Sequence, residues 1–209
     1  MGTKSIGVSR YFLTFTGDYS RYTMVYFLKE KIQVKDFIKI YKALVENQLN
    51  KKIKKIRCDN GKEYINNDIQ SFLAEAGILL EPSCPYTPQQ NGLSGRKNRT
   101  IVEKARCMML DANLPKCYWA EAVSTAVYLL NRSPNKILNS STPYQEWFGS
   151  KPSLTHLKIF GCRAMVKTAN NFRKKWDKKS QEYMFIQNQS TLKTSSRPYN
   201  LMEWCRNMP

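Results

Sequence analysis

Apolar residues along this chain switch repeatedly between strand-like and helix-like spacing, and the order of those switches constrains the fold more than any other feature. Residues 11–17, YFLTFTG, are apolar, aromatic and β-branched and read as a strand. The turn DYSRY leads into a second strand, TMVYFLKE at 23–30, so the pair suggests an antiparallel hairpin. Over 33–48, Val34, Phe37, Ile38, Tyr41, Leu44 and Val45 recur at helical spacing. A short strand with a basic approach follows at 51–58, then a helix at 67–76 stopped by Gly77, then a short strand at 78–82. SCPYTPQQNG at 83–92 reads as a turn-rich loop, and a helix is expected from about Ser94 to Leu110. A long helix over 115–134 ends at Ser133-Pro134, and a short one over 141–149 has Pro near its start and Gly at its end. Beyond 150 the pieces IFGCRAMV and EYMFIQ, separated by basic linkers, suggest a small β module. Residues 189–209 show no period and are expected to be a disordered tail. Strand, strand, helix, strand, helix, strand, helices is an α/β order.

Charge narrows the partner. Lysine plus arginine number 34 against 16 acids, and 34 − 16 = +18. Such an excess favours a polyanion, nucleic acid before a membrane surface, because no basic amphipathic helix stands beside a lipid anchor. No run of 18 apolar residues occurs, so no membrane span is expected. The start, MGTKSIGVSR, lacks the apolar stretch of a secretory signal, so the expected setting is intracellular, nuclear or cytoplasmic. The six cysteines form no C-x-x-C pair and His156 is the sole histidine, a spacing that offers no zinc site.

Four strings point one way: YFLTFTGDYSRYTMVYFLKEK at 11–31, IKKIRCDNGKEY at 53–64, PYTPQQNGLSGRKNRTI at 85–101 and LPKCYWAEAVSTAVYLLNRSP at 114–134. Together they resemble the integrase core of Ty1/copia retrotransposons. PSLTHLKIFGCRAMV at 152–166 looks like the segment that follows that core. The resemblance implies a ribonuclease H-like fold, a mixed sheet flanked by helices, over residues 5–150. A small β module over 151–188 would follow. It also implies an ancestral role in DNA integration, in which three carboxylates hold two Mg²⁺ or Mn²⁺ ions. Such ions, about 4 Å apart, clamp the attacking and leaving oxygens of a phosphoryl transfer.

Carried over residue by residue, the middle Asp falls on Asp59 in DNGKE, which is also well placed to cap the Asn60-Gly61 turn. The family's Glu falls on Gly95 in NGLSGRKNRT, with 95 − 59 = 36, the family's spacing. Glycine cannot ligate a metal. Glu103, two helical turns on, is out of reach, and Glu63 lies in the turn after Asp59. The first Asp would precede Ser5-Ile6-Gly7 on the opening strand, and this chain starts at Met1. Asp18, in FTGDYSR, reads as a turn cap instead. Without that strand, the strands at 11–17 and 53–58 would each expose an apolar edge. The domain would then be prone to aggregation, unless residues 1–10 or a partner fill the gap.

The helix after Ser94 keeps Arg96, Lys97, Arg99, Thr100 and Lys104, and phosphate contact needs only charge and reach. The leading reading is therefore a degenerate integrase fragment with residual, sequence-independent DNA binding. One alternative is an active strand-transfer enzyme. Another is a co-opted module working by protein contact, as a homo-oligomer or with a partner covering the exposed sheet. Trp119, Tyr128, Tyr144 and Trp147 recur beside apolar residues and are expected in the core.

Overall fold

The computed structural model describes residues 2–59, 61, 64–83, 88–167, 175–176 and 178–186, with the backbone alone for 88–93. The expected tail at 189–209 lies outside the described residues, as do Glu63, Arg173 and Lys174.

β1 (Tyr11–Thr16) and β2 (Thr23–Leu28) pair antiparallel, from Tyr11↔Leu28 to Thr16↔Thr23. The alternation of large apolar residues and threonines suits this ribbon, because successive side chains go to opposite faces. In the turn, the Gly17 N–H donates to the Tyr22 carbonyl and the Arg21 N–H to the Gly17 carbonyl. Arg21 takes a left-handed φ of 57° there. α1 (Val34–Leu49) buries Val34, Ile38, Tyr41 and Val45, a single stripe three and four residues apart. β3 (Lys55–Cys58) and β4 (Leu79–Pro82) pair in parallel across α2 (Asn67–Glu75). Asn66 caps α2 by accepting from the Ile69 N–H at 2.9 Å. Gly77, with φ of 67°, turns the chain out of it.

The third strand is shorter than the expected 51–58. The Ile53 N–H is captured by the Glu46 carboxylate at 3.1 Å, so pairing begins only at Lys55.

The mixed α/β character is as expected, but the strands form separate pairs, β1–β2 and β3–β4. Both pairs rest on α1 and α2 through one buried cluster that includes Leu13, Leu28, Ile38, Ile69, Leu73 and Ile78. Among the described residues β1 and β3 each keep one edge without a strand partner. A cleft beside β1 is lined by Tyr11, Phe12, Leu13, Val34 and Tyr64. Residues 3–10 do not form a strand there. The Ile6 N–H donates to the Cys117 carbonyl and the Trp119 indole N–H to the Thr3 carbonyl, both at 3.1 Å.

α3 (Pro88–Asp111) and α4 (Trp119–Arg132) pack on the far side of the hairpin. Ile101, Ala105, Trp119, Val123 and Ala126 form the centre of a second cluster, with Phe12 and Phe27 against it. Trp119 and Trp147 are buried, Tyr128 with them, as the spacing predicts. The outer edge of β2 is sealed by Asn131 of α4. Its amide accepts from the Thr23 N–H at 2.9 Å and donates to the Thr23 carbonyl at 2.7 Å, replacing a strand neighbour. α5 (Pro143–Phe148) is capped by Thr142 and ends at Gly149.

β5 (Arg163–Lys167) and β6 (Ser180–Met184) make an antiparallel ribbon. Phe160 and Ile186, at its base, belong to the buried cluster of α3 and α4. Gly161 has φ of 80°, and a Cβ there would lie 2.2 Å from that of Ala112, so the close approach to the end of α3 requires glycine. Among the described residues no helix is long and apolar enough to cross a membrane.

Candidate nucleic-acid interface

α3 begins six residues before the expected Ser94, so residues 88–92 of the expected loop are helical. Proline is at home in a first helical turn, where its missing N–H would have no intrahelical acceptor. Asn91-Gly92, a turn pair when met in sequence, sits inside the helix.

Two contacts fix the rotation of α3. The Thr14 hydroxyl on β1 donates to the Asn98 side-chain oxygen at 2.8 Å. One residue earlier, the Lys97 ammonium donates to the Arg21 carbonyl at 2.6 Å. Ile101 and Ala105 continue this inward stripe into the core.

The five cationic and polar positions singled out from the sequence therefore part company. Arg96, Arg99 and Lys104 are exposed, and Arg106 joins them. Thr100 is half-buried and its hydroxyl donates to the Arg96 carbonyl at 3.0 Å. Lys97 does not stand with the outer cations. Burial, then the neighbouring Arg21 charge, pulls its ammonium down to about 8. The signal was available in the sequence, since position 97 is one helical turn before the apolar Ile101 and two before Ala105.

Gly95 lies on the exposed side of the same helix, and a Cβ there would meet nothing within 4 Å. Asp59 directly follows β3 and is exposed, and its carboxylate accepts from the Gly61 N–H at 3.2 Å, the turn-capping contact. Its charge, after burial, helps push the adjacent Cys58 thiol up to about 11.

Asp18 sits in the hairpin turn, where Arg21 meets it at 3.0 Å and Arg57 at 3.6 Å. Glu81 holds Arg57 and Lys55, at 2.7 and 3.0 Å, and these hydrogen bonds keep its carboxyl below the usual range. These exposed pairs tie the turn to the edge of β3 and β4, although each contributes little alone.

Two hard divalent ions need several oxygen ligands converging on one spot. Among the described residues no three His, Cys, Asp or Glu side chains gather in that way. The donor set formed by Asp59 and the side-chain-free Gly95 does not fit a two-ion site.

The integrase core domain (rve) family matches residues 2–88. The chain is 45% identical over 186 residues to the retrovirus-related Pol polyprotein from transposon TNT 1-94 of Nicotiana tabacum, covering 89% of this chain and 14% of that protein. It is 41% identical over 182 residues to the Pol polyprotein from transposon RE2 of Arabidopsis thaliana, covering 87% of this chain and 12% of that protein. The chain thus spans a small part of the curated relatives it matches. Its fold is similar to a chain in the cryoEM structure of a simian T-cell lymphotropic virus intasome in complex with PP2A regulatory subunit B56 gamma. The TM-score is 0.54 at 18% identity, over 82% of this chain and 61% of that one. The fold class is ribonuclease H-like, and the chain belongs to the integrase core domain family, with Pol polyproteins of plant copia-type transposons among its relatives.

Proposed function

We propose that this chain is a degenerate integrase core that has lost two-metal DNA strand transfer and keeps sequence-independent binding to DNA. The observation that carries the reading is Gly95. It stands where the family's NGVAERKNRT-like string places a carboxylate, in open space on an exposed helix face, with no side chain to ligate a metal. Mg²⁺ or Mn²⁺ belongs to the ancestral reaction, and Asp59 with Gly95 does not supply the converging oxygens that such ions need.

DNA binding rests on the exposed cations of α3, Arg96, Arg99, Lys104 and Arg106, within a chain of net charge +18. Phosphate contact releases counterions and so weakens steeply with salt. The test is duplex binding by fluorescence polarisation across a salt series, with the chain beside Arg96→Ala/Arg99→Ala. The double substitution should weaken binding to unrelated duplexes equally and reduce the log–log salt slope by about 2. An unchanged slope would remove α3 from the interface.

The edges of β1 and β3 without a strand partner among the described residues favour a second reading, in which a second copy or another protein covers the sheet. Association through such edges would respond weakly to salt, unlike phosphate contact.

A further inference from the structure

Trp176 is 93% exposed, whereas Trp119 and Trp147 are buried to 6% and 8%. An indole held outside the core leaves a large flat π-face free for contact. Its surroundings are cationic. Lys175, Lys178 and Lys179 flank it and are exposed, and RKKWDKK at 173–179 carries five cations to one acid. The neighbouring strand adds to this. Arg163, Met165 and Lys167 alternate outward along β5, with Met165 67% exposed. Among the described residues the ribbon's ion pair joins Arg163 to Glu182 at 3.2 Å and involves none of the lysines beside the indole.

We propose that Trp176, with Lys175, Lys178, Lys179 and Lys167, forms a binding site for single-stranded nucleic acid. The ring would stack on an unpaired base and the lysines would meet the flanking phosphates. Stacking on a ring works for any base, because each has a π-face. A duplex offers no such face along its length, since its bases already stack on one another. An anionic bilayer is less well matched. Interfacial anchoring needs several apolar residues at one depth, and RKKWDKK supplies only the one ring.

The proposal shares with the α3 reading the premise that the chain binds nucleic acid, but rests on a different element. Its test uses the whole chain, an oligothymidylate and a duplex, with Trp176→Ala, Trp176→Phe and Arg96→Ala/Arg99→Ala. Trp176→Ala should weaken single-strand binding about tenfold, the size expected of one stacked base. Trp176→Phe should retain most of the affinity. The salt slope should not change in either, because no charge is removed. Quenching of indole emission by the oligothymidylate should be smaller in Trp176→Ala by the share this ring contributes. Duplex affinity should fall only in the α3 variant.

Undiminished single-strand affinity in Trp176→Ala overturns the proposal while leaving α3 untouched. So does an indole blue shift with phosphatidylserine vesicles but no response to oligothymidylate. Conversely, loss of single-strand binding in Trp176→Ala with intact duplex binding in the α3 variant sinks the α3 reading and keeps this one.

Discussion

Gly95 occupies an exposed helical position whose missing Cβ would touch nothing, so the residue is not there for want of space. In a helix interior glycine costs about 0.5–1 kcal/mol relative to alanine, through the backbone freedom it loses on folding. Gly95→Ala should therefore raise stability by about that amount, read as a higher urea midpoint at unchanged slope. Two residues along, Lys97 carries the opposite lesson. Folding lowers its pKa to about 8 from 10.5, so between those values the unfolded chain binds more protons than the folded one. Stability at this site is then lowest below pH 8 and climbs as pH rises toward 10.5. Lys97→Met should flatten that climb. The measurement is the difference in melting temperature between the two chains across the pH range, which cancels the tyrosines common to both.

At the scale of elements, side chains complete what backbone pairing leaves open. Asn131 takes both polar groups of Thr23 on the closed edge of β2, in a place where water does not substitute. Asn131→Ala should cost about 2–3 kcal/mol, the penalty for stranding a buried donor and acceptor, measurable by urea unfolding. Gly161→Ala should be at least as damaging, since it meets Ala112 at 2.2 Å with a φ of 80°. Thermal melting of that variant checks the claim that the β5–β6 ribbon is docked on α3. Most elements were legible in the sequence because their apolar stripes are strong, α1 being the plainest case. The start of α3 was not, because Asn91-Gly92 carries a turn signal that helix propagation from Pro88 overrides. The inward turn of Lys97 follows from Ile101 and Ala105, four and eight residues on, whose burial outweighs its charge.

For the whole molecule, the order of strands was readable and their pairing was not. Nothing in YFLTFT or KIRC states that β1 and β3 each keep an edge unpaired among the described residues, because pairing is set by elements far apart in sequence. The candidate site divides the same way. Asp59 and Gly95 follow from the DNGKE and NGLSGRKNRT strings, whereas the exposure of Trp176 comes only from the folded chain. What unites the molecule is a fold that keeps a cationic outer helix and has no cluster of carboxylates among its described residues. The most direct measurement is Mn²⁺-dependent nicking and joining of duplex DNA by the folded chain, beside Asp59→Asn. Loss of two-metal chemistry with retained DNA binding predicts that both chains bind the duplex and neither forms a metal-dependent product. Metal-dependent product from the unsubstituted chain, lost in Asp59→Asn, would contradict it and mean that other ligands complete the site.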